Sequence, residues 1–108
     1  MDKTVITKLG DFEVVRDVVA DVATLMEPEA VYLYNQKLNT RGKFASFKLC
    51  VIGDFADKDE AERTIYLGVD SPLPFDLLLY TGEQWEEHSA DPDSFAYRIK
   101  HTGVRVYG

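Results

Sequence analysis

Apolar and polar residues recur along this chain with two different periods, and the changes of period divide it into elements. From Asp11 onward, Phe12, Val15, Val19, Val22 and Met26 return at three- and four-residue spacing. Glu13, Arg16, Asp17, Asp21 and Thr24 fall mostly on the other side, which predicts a helix with one buried face. Asp11 is its expected N-cap, and Pro28 closes it. Val5, Ile6 and Leu9, ahead of that helix, fit either a short strand or a lead-in and are left unassigned. Ala30 to Tyr34 reads as a strand by its β-branched and aromatic content, and a polar loop is expected from Asn35 to Gly42. Phe44 to Ile52 is the second strand, and its continuous apolar end from Leu49 to Ile52 suggests a central place covered on both faces.

Asp54 to Arg63 is acidic and reads as a loop leading into a short solvated helix, which Thr64 to Val69 either extends or leaves for a strand. The last third carries clear boundary signals. Pro74 to Tyr80 is a strand, and Thr81 followed by Gln84 matches a capping box, so a helix is expected from Gly82 with Trp85 on its inner face. Asp91-Pro92 predicts a further N-cap with proline at the first helical position. Phe95 and Ile99 then share a face, Gly103 stops the helix, and Val104 to Tyr107 alternates as a closing strand. The order implies an α/β (α+β) protein, a mixed sheet packed with helices, in one domain spanning residues 1–108.

Composition narrows the function classes. A chain of 108 residues with 45% apolar content builds one core and buries roughly two-thirds of its extended surface. No apolar run approaches the roughly 20 residues needed to cross a bilayer, and no cleavable signal is visible, so a cytoplasmic protein is expected. The lone Cys50, inside an apolar run, reads as a small buried hydrophobe. A net charge of −7 argues against general affinity for nucleic acid or anionic membrane, both of which need phosphates neutralised by Lys and Arg. Yet no Asp or Glu occurs between Ala30 and Gly53, where Lys37, Arg41, Lys43 and Lys48 all lie. That cluster is either a solvated loop or a metal-independent nucleotide phosphate site. His88 and His101 lack any metal or relay spacing and are expected at the surface. Ser46, Ser71, Ser89 and Ser94 have no nucleophile-elbow context. The aromatics Tyr32, Tyr34, Tyr66, Tyr80, Trp85 and Tyr107 are expected mainly in the core, or on a partner surface if several share one exposed face.

The segment from Pro74 to Tyr107 resembles the C-terminal half of the minimal nucleotidyltransferases. It runs as strand, Thr-capped helix with Glu83 to Glu87, an Asp-Pro-Asp-Ser-Phe helix start and a closing Gly-Val-Arg-Val-Tyr. These small bacterial proteins are often paired as antitoxins with HEPN-type toxins. Ala30 to Tyr34 and Phe44 to Ile52 are similar to that family's first and second strands, so the resemblance spans about 80 residues. It implies a phosphate-holding Gly-Ser turn after the first strand, where this chain has Asn35-Gln36, and an Asp-x-Asp metal pair on the second, where it has Ser46, Phe47 and Lys48. The family's third carboxylate corresponds to Asp76. Magnesium takes oxygen ligands, and a lysine amine at a ligand position repels it. A catalytically degenerate, nucleotidyltransferase-like binding module is therefore expected, antitoxin-like by its resemblance. It has no metal site, needs no cofactor, and has a protein partner, either a HEPN-type toxin or a second copy. The alternatives are an active nucleotidyl- or adenylyltransferase using Asp76 with magnesium and ATP, and a nucleotide-binding protein without metal. Asp57-x-Asp59 has ligand-type residues, but its place favours capping a helix. Asp76, in a strand that reads as buried, either pairs with Lys48 in place of the metal or faces solvent with it.

Overall fold

The computed structural model describes residues 12–108, so the expected cap at Asp11 and the segment with Val5, Ile6 and Leu9 lie outside the described residues. Helix α1 runs over Phe12–Met26, strands β1 and β2 over Ala30–Leu38 and Phe44–Ile52, and helix α2 over Lys58–Gly68. Strand β3 spans Phe75–Tyr80, helices α3 and α4 span Gly82–Ser89 and Phe95–Thr102, and β4 closes the chain at Val104–Tyr107. The four strands form one mixed sheet in the order β3-β2-β1-β4. β1 pairs antiparallel with β2 and β4, whereas β2 and β3 run parallel, joined by the crossover that contains α2.

Period explains which face each helix meets. Val15, Val18, Val19 and Val22 of α1 are all buried, and with Ala61 and Ile65 of α2 they pack on Val31, Leu33, Phe47, Leu49, Val51 and Val106. Burying a valine side chain is worth roughly 1.5–3 kcal/mol, against a few tenths lost to its poor helix propensity, so packing decides α1. Glu27 ends α1 with a left-handed φ of 47°, a conformation usually left to glycine, and Pro28 follows it. The opposite sheet face is covered by α3 and α4, through Trp85, Ala96 and Ile99 on Ala30, Tyr32, Cys50 and Ile52. The apolar end of β2 is thus central and covered on both sides, as its sequence implies.

Two boundaries depart from the sequence reading, the end of β1 and the cap of α4, and one that it left open is settled. β1 does not end at Tyr34: it continues to Leu38, because Asn35, Gln36 and Lys37 pair with Lys48, Phe47 and Ser46. The loop contracts to the hairpin turn around Asn39, whose side-chain carbonyl accepts from the N–H groups of Arg41 (2.9 Å) and Lys43 (3.1 Å), with Gly42 at φ 76°. Thr64 to Gly68 extends α2, whose N-cap is Asp57, its side chain accepting from the Glu60 N–H at 3.2 Å. The N-cap of α4 is Ser94 rather than Asp91: the Ser94 hydroxyl accepts from the Tyr97 N–H at 3.0 Å. Asp91 instead opens a preceding turn, its carbonyl accepting from the Ser94 N–H at 2.9 Å and its side chain from the Asp93 N–H at 3.0 Å. The capping box of α3 forms as expected, with the Thr81 hydroxyl accepting from the Gln84 N–H and the Gln84 side chain accepting from the Thr81 N–H, each at 3.1 Å.

Candidate functional site

Residues paired directly across a ladder share a face of the sheet, so the register fixes which candidate side chains meet. Tyr32 pairs with Cys50 on the α3–α4 face, and alternation along β2 puts Lys48 and Ser46 on that same face. A bulge between Leu33 and Asn35 sets Asn35 opposite Lys48, and Lys48 in turn pairs with Asp76. Asn35, Lys48 and Asp76 therefore form one row across β1, β2 and β3. Gln36 lies opposite Phe47 and belongs to the other face, so Asn35 and Gln36 do not form a turn that holds a ligand between them. Asn35 is occupied locally, its side-chain carbonyl accepting from the Gln36 N–H at 2.8 Å.

Helices α3 and α4 cover only the Ile52–Tyr80 end of this face. Trp85 packs on Tyr32 and Tyr80 at ring-centroid distances of 5.2 and 5.5 Å. Beyond them the row is open to solvent: Asn35, Lys37 and Asp76 are exposed, and Ser46 and Lys48 are half-buried. The boundary between covered and open halves is aromatic. Tyr34 meets Phe95 of α4 edge-to-face at 5.5 Å, and Phe95 still leaves 48% of its surface exposed. Burial pushes the Tyr34 phenol up to about 12, and negative charge at Cys50 and Asp76 pushes in the same direction. Burial alone pushes the Cys50 thiol up to about 12, while Tyr80 is raised by burial and, less, by charge at Cys50. Cys50 is accordingly an inert core residue.

Of the two arrangements open to Asp76 and Lys48, the ion pair does not form. Among the described residues no hydrogen bond or salt bridge joins Lys48 to Asp76. Asp76 is exposed rather than buried, because β3 is the edge of the sheet and its first residues run past the cover of α3, so the carboxylate can be solvated. The residues at the positions that the nucleotidyltransferase resemblance assigns to magnesium do not fit that ion. Ser46 offers a hydroxyl, Phe47 points into the core beneath, Lys48 brings an amine, and Asp76 is the one carboxylate of the row. Asp57 caps α2, as its position implied, and among the described residues no three His, Cys, Asp or Glu side chains gather as a metal-ligating group.

A second concavity was not anticipated. The parallel strands β2 and β3 end beside the first turns of α2 and α3, and an open cleft of about 480 Å³ lies there, lined by Phe55, Asp57, Lys58, Asp59, Thr81 and Gln84. The Lys58 ammonium donates to the Gln84 side-chain carbonyl at 3.0 Å and ties the two helix starts together. The sequence signal was a capping residue, Asp57 and Thr81, soon after each parallel strand. His88 and His101 are exposed, His101 stacked on Tyr97 at 3.9 Å.

Fold and site together define a mixed α/β protein with helices on both faces of a four-stranded sheet and a half-open sheet face bearing lysines beside aromatics. A scan against protein-family models gave no match, and searches of curated proteins and of solved structures gave none either. Among the described residues no helix is long and apolar enough to cross a membrane.

Proposed function

We propose that this chain is a catalytically degenerate, nucleotidyltransferase-like binding module that acts through contacts with a protein partner. One observation supports the reading: Lys48 stands between Asn35 and Asp76 in one row, and by the resemblance its position is one of those where a metal-dependent transferase needs paired carboxylates. Phosphoryl-group chemistry draws most of its rate from metal and cationic groups fixed around the transferred phosphate, and a lone exposed carboxylate cannot assemble them. The resemblance of Pro74 to Tyr107 to the minimal nucleotidyltransferases supports an antitoxin-like role, with a HEPN-type toxin as the corresponding partner. A transfer assay with radiolabelled ATP and magnesium tests the reading. The expected outcome is no label transferred by the protein or by its Asp76→Ala variant, and transfer by the parent that the variant loses would establish an active enzyme instead.

A further inference from the structure

The open half of the α3–α4 sheet face carries two lysines, Lys37 and Lys48, and one carboxylate, Asp76. Lys37 lies opposite Ser46, and Lys48 lies opposite Asn35, so the bulge in β1 brings both lysines to one face at neighbouring rungs of the hairpin. Diagonal neighbours of this kind stand roughly 7–8 Å apart, within reach of long side chains, and two like charges so placed repel. No Asp or Glu occurs in the stretch from Ala30 to Gly53, so the one carboxylate in this row is Asp76, across from Lys48 and without an ion pair to it. Directly beside the lysines, Tyr34 and Phe95 present a partly exposed aromatic step, and Leu78 of β3 is only half-buried. Cations next to an aromatic step form a composite surface, apolar at one side and positive at the other.

We infer that the face formed by Tyr34, Lys37, Ser46, Lys48 and Phe95 docks an acidic segment of a partner protein, with carboxylates over the two lysines and an apolar side chain on the Tyr34–Phe95 step. The inference rests on the binding-module reading and names the surface that it uses. Charge decides the class of occupant. Two lysines without an arginine fork neutralise too few phosphates to hold a nucleic acid strand. A short acidic segment needs only those two charges, and desolvating them beside aromatic rings strengthens the contact. Asp76, on the far side of Lys48, repels a second carboxylate there and so fixes the direction in which the segment lies.

The test is an amide-shift titration of the isotope-labelled full chain. The probes are a short synthetic peptide in which Glu alternates with Leu and Phe, the same peptide with Lys for Glu, and a thymidine oligonucleotide. The expected result is saturable shifts centred on Tyr34, Lys37, Ser46 and Lys48 with the Glu peptide. The Lys37→Glu/Lys48→Glu variant should weaken that binding at least about tenfold, and the Lys peptide should bind the variant better than the parent. Because Lys48 is half-buried, the Lys37→Glu single variant serves as a second reading; its site is exposed, and it should lose part of the affinity with its fold unchanged. Shifts scattered over other surfaces, tighter binding of the oligonucleotide at this face, or concentration-dependent self-association through it would each overturn the inference. None of these outcomes depends on whether ATP is turned over, so the two proposals fail separately.

Discussion

Cys50 and Tyr34 show how one residue reports the packing around it. Both groups lose protons in the folded state only well above their ordinary values, to about 12 in each case, because burial disfavours the charged form. A raised folded-state pKa means that the contribution to stability is complete below the unfolded value and is lost as pH climbs towards the folded one. For the thiol, the unfolded value is near 9 and the folded one about 12. Denaturant titrations should therefore show stability falling as pH rises above about 9, by up to about 1.4 kcal/mol per pH unit from Cys50 alone. Cys50→Ala should flatten the first part of that fall. At neutral pH a thiol reagent should label the native protein only as fast as it unfolds. At this scale the sequence was informative: an isolated cysteine in an unbroken apolar run had to be buried. Asp76 stayed undecided in the sequence because nothing in Phe75, Leu77 and Leu78 reveals that their strand is an edge whose first residues outrun the helix above it.

Among the elements, those with their own boundary chemistry were legible. The valines of α1, the Thr81–Gln84 box of α3 and the stop at Gly103 each specify an end or a face locally, and each is where the pattern puts it. The cap of α4 was missed because Ser94 is as good an N-cap residue as Asp91, and local sequence does not rank the two. Ser94 wins because its hydroxyl accepts from Tyr97 while also donating to the His88 carbonyl, which ties the start of α4 to the end of α3. Equilibrium unfolding of single variants should separate the two roles. Ser94→Ala should cost about 1 kcal/mol and Asp91→Ala a smaller amount, as it loses only a turn hydrogen bond. The extension of β1 to Leu38 was hidden for a different reason. Its polar residues find their hydrogen-bond partners in β2 rather than in a buried face, so hydrophobic alternation, the usual sign of a strand, is missing.

For the whole molecule, the mixed sheet with helices on both faces followed from the order of elements, but the contents of its open face did not. The row of Asn35, Lys48 and Asp76 exists through register, and Lys37 joins that face only because a bulge shifts β1 by one position. No periodicity encodes that shift. An amine stands in the middle of the row with one exposed carboxylate beside it, and manganese tests that arrangement most directly. Amide signals of the labelled protein would be followed on adding manganese, with and without ATP. The account predicts weak broadening spread over the many exposed acidic residues, with none of it concentrated around Ser46, Lys48 and Asp76. Strong broadening confined to those three positions, dependent on ATP and abolished by Asp76→Ala, would contradict it.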